Sequence, residues 1–415
     1  MAQQELKKIE IEKIPEGWAL ARLAEITLDL IGGGTPSTSQ PDYWDGDIPW
    51  MTSANLTDRI ILSGMRYITK KGLRNSATNI VPKGSLLIST RVGIGKVGIA
   101  GIDVAISQDL TGLVLDNDKV DVEYLYWAFL SQSSHLGPLS QGSTVKGLTR
   151  DYLRNLSFFL PPLPEQKKIA EILSTVGQAI EKVDEAIEKT QRLKKGLMQE
   201  LLTKGIGHKK FRDTEIGKIP KEWEVVGLND ISIDLIGGGT PSTSNSDYWN
   251  GDIAWMTSAH IDGREIKNGQ RYITKEGLKN SATNLVPQNN LLVATRVGIG
   301  KVAVNKIDIA ISQDLTGVII DKGKAIPDFL YWAIIYNEKR LKSLAQGSTI
   351  KGVLREDLGK IKLSIPTLKE QQKIAEILGG VDERLELLRA RRVRLEKTKK
   401  GLMNDLLTGR KRVNA

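Results

Sequence analysis

Four polar, glycine-rich stretches hold the side chains best suited to chemistry or to gripping a ligand. They are "GGGTPSTS" (Gly32 to Ser39), "TRVGIGKV" (Thr90 to Val97), "AISQDLTG" (Ala105 to Gly112) and "QGSTVKG" (Gln141 to Gly147). Their Arg, Gln, Ser, Thr and Lys groups can address base edges or phosphates, and neighbouring glycines let backbone N–H groups approach a phosphate closely. Catalytic patterns are missing. "RVGIGKV" lacks the G-x-x-x-x-G-K-[ST] spacing of a phosphate loop because Val97 follows Lys96, and "IGGGTPSTS" lacks the G-x-G-x-x-G register. No Ser/His/Asp or paired-carboxylate constellation stands out, and Asp42, Asp45 and Asp47 in "PDYWDGD" read as turn residues. An Asn-Pro-Pro-aromatic motif is absent too; Pro161-Pro162 belongs to "FLPPLPEQ". His135, His208 and His260 are scattered without metal-ligand spacing and read as surface or loop residues. With no cysteine in the chain, disulfides, thiol catalysis and cysteine metal sites are excluded.

Composition narrows the partner. The 59 Lys and Arg against 49 Asp and Glu leave a net charge of +10, which favours a polyanion, most simply nucleic acid. The opening "MAQQELKKIEIEKIP" is charged, with no apolar run for a signal peptide or membrane span, so a cytoplasmic protein without a membrane partner is expected.

The elements that must position these side chains come twice. Trp18 matches Trp223, Arg91 matches Arg296, Gln141 matches Gln346, Glu165 matches Glu370 and Leu197 matches Leu402, always 205 residues apart. A constant offset means two copies of one unit of about 200 residues. In each copy the first part (17–163 and 222–368) mixes β-type runs such as "SLLIST", "LTGLVL" and "LSFFLP" with glycine turns and a helical stretch, "EYLYWAFLSQ". The second part carries a heptad seam: Ile169, Leu173, Val176, Ile180, Val183, Ile187, Thr190, Lys194, Leu197 and Leu201, echoed from Ile374 to Leu406. Thirty-eight helical residues, Glu165 to Leu202, would form a rod of about 57 Å, or roughly 17 base pairs. The fold class expected is α+β: two similar α/β domains separated by two long antiparallel helices, with a pseudo-two-fold relation between the copies. The boundaries expected are a first domain at 1–164, a first spacer helix at 165–208, a second domain at 209–369, and a second helix with a basic tail at 370–415.

Divergence between the copies is uneven. Residues 131–140 share only Leu136 and Leu139 with their twins, whereas "QGSTVKG" returns at once as "QGSTIKG" from Gln346. Since the matching stretches lack large core residues, packing alone does not account for their identity.

Several pieces in order carry a family resemblance. "IPEGWALARLAEI" (Ile14 to Ile26) is echoed by "IPKEWEVVGLNDI" (Ile219 to Ile231). The "GGGTPS" loop, the "QGST" turn and the exit "PPLPEQKKIAEIL" into a helix ending "KKGLMQELLT" complete the set. Together they resemble the DNA specificity subunit of type I restriction-modification systems. The resemblance implies two target recognition domains, each reading half of a bipartite site in double-stranded DNA, and a helical ruler between them. It implies no catalysis and no cofactor in this chain. Two modification subunits using S-adenosylmethionine would dock on Glu165 to Leu202 and Glu370 to Leu407, and restriction subunits would use ATP with Mg.

DNA contacts are expected at Thr35, Ser37, Thr38, Arg91, Lys96, Gln141, Ser143, Thr144 and Lys146, and at Thr240, Ser242, Thr243, Arg296, Lys301, Gln346, Ser348, Thr349 and Lys351. Arg91 and Arg296 suit guanine, Gln141 and Gln346 adenine, although an arginine equally holds phosphate. Family members often carry unlike domains; like loops here point to a gapped near-palindrome, imperfect because Asn55 and Thr57 become His260 and Asp262. Two other readings stay open: a stand-alone duplicated DNA-binding repressor, and a small phosphate-handling enzyme.

Overall fold

The computed structural model describes residues 14–136, 147–345 and 352–414. It divides into two compact units, one made of Met1–Asp184 with Ala390–Ala415 and the other of Glu185–Arg389.

In the first unit, a five-stranded sheet runs in the order Thr27–Gly32, Leu110–Leu115, Leu86–Ser89, Val97–Ala100 and Ile60–Ile61. A four-stranded sheet runs Arg66–Ile68, Trp44–Met51, Val104–Ile106 and Asn79–Val81. Pairing is antiparallel except between Ile60–Ile61 and Val97–Ala100 and between Trp44–Met51 and Val104–Ile106. The run "LLIS" is buried on both faces: Leu86 and Ile88 join a core with Trp127 and Phe129, while Leu87 points the other way, to Met51 and Ile106. Strand alternation therefore sets the layering of helix, five-stranded sheet and four-stranded sheet.

The stretch read as helical forms Val122–Leu136, begun by Asp121, whose Oδ1 accepts the Tyr124 N–H at 2.9 Å. Its twin lacks that cap and starts instead with Pro327 in the first turn, where no N–H is needed. The second unit repeats both sheets at the same offset and adds a hairpin, Phe211–Thr214 with Gly217–Pro220.

Two long helices, Leu163–Thr203 and Leu368–Leu406, carry the seams. The first ends five residues short of the expected 208, because Gly205 takes a left-handed φ of 68° that stops a helix. Every seam position is buried or half-buried. In the first unit Ile169 and Leu173 share a core with Leu402 and Leu406, and Arg392 donates from Nε to Asp184 at 2.6 Å, so the helical segments there run antiparallel. In the second unit Leu197 and Leu201 share a core with Ile374 and Leu378, and Lys194 is ion-paired with Asp382. Of the polar residues interrupting the seam, Lys194 and Arg392 thus find charged partners on the facing helix, as register-setting groups do.

One pair of twins differs in a way that sets a test. Trp127 Nε1 donates to Ser174 Oγ at 3.1 Å, and that hydroxyl donates to Glu123 at 3.0 Å. In the second copy Gly379 replaces the serine, and the buried Trp332 Nε1 has no partner among the described residues. A Cβ at Gly379 would meet only the flexible end of Arg264, at 2.9 Å. Gly379→Ser is expected to stabilise the protein by about 2 kcal/mol, combining helix propensity with a partner for the indole N–H. Gly379→Ala should gain only about 1 kcal/mol. Thermal unfolding of the two variants separates the contributions; equal gains would remove the hydrogen-bond argument.

Candidate nucleic-acid interface

The loop after Thr27–Gly32 is built around its glycines. Gly34 N–H donates to Ile106 O at 3.0 Å, and a Cβ on Gly33 would lie 2.0 Å from that same oxygen. Trp50 Nε1 donates to Gly34 O at 3.2 Å and Trp44 Nε1 to Ser37 O at 3.1 Å, with Pro36 buried between them in sequence. The second copy repeats these bonds through Trp255 and Trp249. Packing does account for much of this loop's identity, contrary to the expectation from its composition: the tryptophans and the Ile106 carbonyl demand it. In "PDYWDGD" only Asp42 lies in a turn, Pro41–Tyr43; Asp45 and Asp47, read as turn residues, instead belong to the strand Trp44–Met51, in an irregular stretch where Asp45 takes a φ of 60°.

"AISQDLTG" divides similarly. Asp109 Oδ2 accepts the Ser53 N–H at 2.8 Å as well as the hydroxyl of Ser53, and Oδ1 accepts that of Ser107, which makes Ser107 and Asp109 structural. Gln108, between them, is exposed and accepts from Thr35 Oγ1 at 2.7 Å; Gln313 and Thr240 repeat the bond at 2.7 Å.

For Asp314, the twin of Asp109, burial pushes the carboxyl up, but bonds from Ser258 and Ser312 outweigh it and hold the group below its ordinary value of 3.8. A depressed folded value means stability present above the unfolded pKa and lost as pH falls through the folded one. Unfolding measured from pH 7 to pH 3 should show wild type losing stability below about pH 4. Asp314→Asn should start about 2 kcal/mol less stable and converge with wild type in acid. A constant gap between them at all pH values would show that the carboxylate charge is not what the serines hold.

A cleft forms where four loops meet. It measures about 500 Å³ in the first unit, walled by Gly32, Gly33, Thr90, Gln108 and Gly147, with Arg91 and Arg150. The second unit holds the same cleft, about 420 Å³, with Gly237, Gly238, Thr295, Gln313, Gly352, Arg296 and Arg355. All four arginines are exposed, and none has a carboxylate partner among the described residues. A polar, cationic recess of this kind suits an anionic or base-edge ligand.

Of the residues expected to bind, Arg91 and Arg296 line the clefts, and Thr35 and Thr240 reach them through Gln108 and Gln313. Ser37 and Ser242 bond Ser39 and Ser244 at 2.8 Å, farther along an exposed loop that includes Thr38 and Thr243. Lys96 points elsewhere, its Nζ 3.4 Å from Ser53 O, beside the loop carrying Asn55; Lys301 is exposed. Gln141, Ser143, Thr144, Lys146, Gln346, Ser348, Thr349 and Lys351 lie outside the described residues, although the stretches end on Gly147 and Gly352 at the cleft walls.

Sequence reasoning missed Arg150 and Arg355, and it singled out the stretches that hold Gln108 and Gln313 without placing those two among the contacts. All four obey the 205-residue offset, and the arginines follow the "QGST" stretches by a few residues, which was the available signal. His208 lies in a loop, as read, and is partly exposed: Nε2 lies 3.0 Å from Glu370 and Nδ1 3.2 Å from Glu222. The exchange of Asn55 for His260 comes with a rewired loop. Thr52 Oγ1 donates to Asn55 Oδ1 at 3.2 Å, whereas Thr257 Oγ1 donates to Gln270 at 2.9 Å, leaving His260 out of that bond.

Comparison with known proteins places this architecture. A family model described as the type I restriction modification DNA specificity domain matches residues 15–189 and 220–397, once per copy, and the chain belongs to that family. It is a specificity subunit of a type I restriction-modification system, the DNA-recognition component and not the catalytic one. It is 29% identical to a putative type I restriction enzyme MjaX specificity subunit of Methanocaldococcus jannaschii, over 99% of this chain and 97% of that one. It is 28% identical, over 99% and 97%, to the MjaVIII specificity subunit of the same organism. A crystal structure of the type I S subunit from M. genitalium shares the fold, with a TM-score of 0.64 at 16% identity over 95% of this chain and 96% of that one. No described helix is long and apolar enough to cross a membrane.

Proposed function

We propose that each unit reads one half of a bipartite site in double-stranded DNA through its cleft and the loops around it, and that the two halves form a gapped near-palindrome. The observation that carries this reading is the pair of matching clefts, with Arg91 and Arg150 in one and Arg296 and Arg355 in the other. Like side chains in like settings read like base pairs. The differently bonded loops around Asn55 and His260 break the symmetry at about one base pair per half. Two modification subunits dock on the long helices and methylate an adenine in each half, using S-adenosylmethionine, and restriction subunits use ATP with Mg.

Sequencing of adenine methylation in DNA from cells expressing the chain with its modification subunit, against cells lacking the chain, tests this directly. A gapped, near-palindromic methylated motif that disappears with the chain is the expected result. Two unlike half-sites would end the inference from matching clefts. No change in methylation, together with specific DNA binding by the chain alone, would favour a stand-alone repressor.

A further inference from the structure

The glycine-rich loop after Leu86–Ser89 holds an apolar side chain out in water. Val92 is 65% exposed and Val297, its twin, 63% exposed. A single exposed valine is ordinary, but this one occupies the same place in both copies, next to a cleft arginine, Arg91 or Arg296. The loop's shape is fixed around it. Gly93 and Gly95 take φ of 65° and 91°, and Gly298 and Gly300 take 67° and 98°. In the first copy the buried Ser89 hydroxyl contacts the Val92 and Gly93 carbonyl oxygens at 2.6 and 2.7 Å, and the Lys96 N–H donates to Gly93 O at 3.3 Å. The second copy has Ala294 in place of Ser89 and still presents its valine. A β-branched residue is stiff at χ1, so fixing it against a ligand loses little side-chain freedom.

A cation beside an apolar tip would bring that tip against a duplex, and the apolar group offered in the major groove is the thymine 5-methyl. We propose that Val92 and Val297 each pack on the methyl group of a thymine in their half-site, making them specificity-determining residues beside the arginines. The proposal rests on the reading that each unit binds half of a DNA target.

The test uses the complex of the full chain with its modification subunits and the target defined by methylation sequencing. Each thymine in turn is replaced by deoxyuridine, which removes only the methyl group, and Kd is measured. For wild type, one replacement in each half-site should weaken binding by about fourfold, the worth of one buried methyl. Val92→Ala should abolish that sensitivity in one half-site alone and Val297→Ala in the other, both with an unchanged salt slope, since no phosphate contact is lost. The proposal is overturned if no single replacement matters, if the alanine variants stay as sensitive as wild type, or if the half-sites contain no A·T pair. Uniform weakening by Val92→Ala with no dependence on the methyl groups also overturns it, in favour of a wedge inserted between base steps. In all those outcomes the wild-type complex still binds its target; loss of site-specific binding itself would instead overturn the underlying reading.

Discussion

Alanine at Arg91 is expected to relax discrimination at one base pair of the first half-site by about 10- to 100-fold, the worth of a bidentate arginine–guanine pair. The guanidinium lines the first cleft and is exposed, with no carboxylate partner among the described residues. Arg150→Ala should behave differently. Its guanidinium lies across Gly32, 1.9 Å from where a Cβ would stand there, on the cleft wall. A cation held against backbone in this way suits a phosphate, so the variant should weaken binding to all sequences alike and lower the salt slope by about one unit. Anisotropy titrations of the complex across a salt series, with cognate and single-substitution duplexes, separate the two roles. Should Arg91→Ala produce the uniform loss and the reduced slope, it is a phosphate clamp, and the base reader must be sought among the other cleft groups, Gln108 first.

Gly33→Ala should cost about 3 kcal/mol or more in stability, a large effect for the addition of one methyl group. The new carbon would stand 2.0 Å from Ile106 O and 2.6 Å from Ser107 O, both backbone atoms that cannot swing aside. Relieving the clash means breaking the Gly34 N–H bond to Ile106 O and loosening the loop that Trp50 holds. Gly238→Ala should do the same in the second unit, where the distance to Ile311 O is 2.1 Å. The control is Gly196→Ala, in a long helix with nothing within 4 Å of the added carbon, which should be neutral or gain up to about 1 kcal/mol. Thermal unfolding of the three proteins decides the matter; a Gly33→Ala melting temperature within about a degree of wild type would mean the loop has slack that the structure does not display.

These two cases mark what could be read from the residues alone. The duplication, the β runs and the seams were legible because each is a periodicity carried by side-chain type. The glycines of "GGGTPSTS" looked like access for a ligand, and nothing nearby in sequence signals that Gly33 is needed by a carbonyl 73 residues away, at Ile106. Arg150 was passed over for the same reason. For the arginine in "LTRDYLR" the signals are only its nearness to "QGST" and the 205-residue offset, and folding alone brings it to the cleft with Arg91, Gln108 and Gly32.

The first unit closes with residues that follow the whole of the second unit. Arg412 donates from Nε and Nη2 to Glu165 at 2.7 and 2.8 Å, Glu165 also accepts Trp18 Nε1 at 3.1 Å, and Leu406 and Leu407 join the same core. The second unit is an uninterrupted stretch, Glu185–Arg389, in which His208 supplies the Glu370 contact that Arg412 supplies to Glu165. During synthesis the order of completion is therefore reversed. The copy translated second is complete at Arg389, and the copy translated first must wait longer, its core short of Leu406 and Leu407 and its Glu165 short of a cation, until Arg412 has been made.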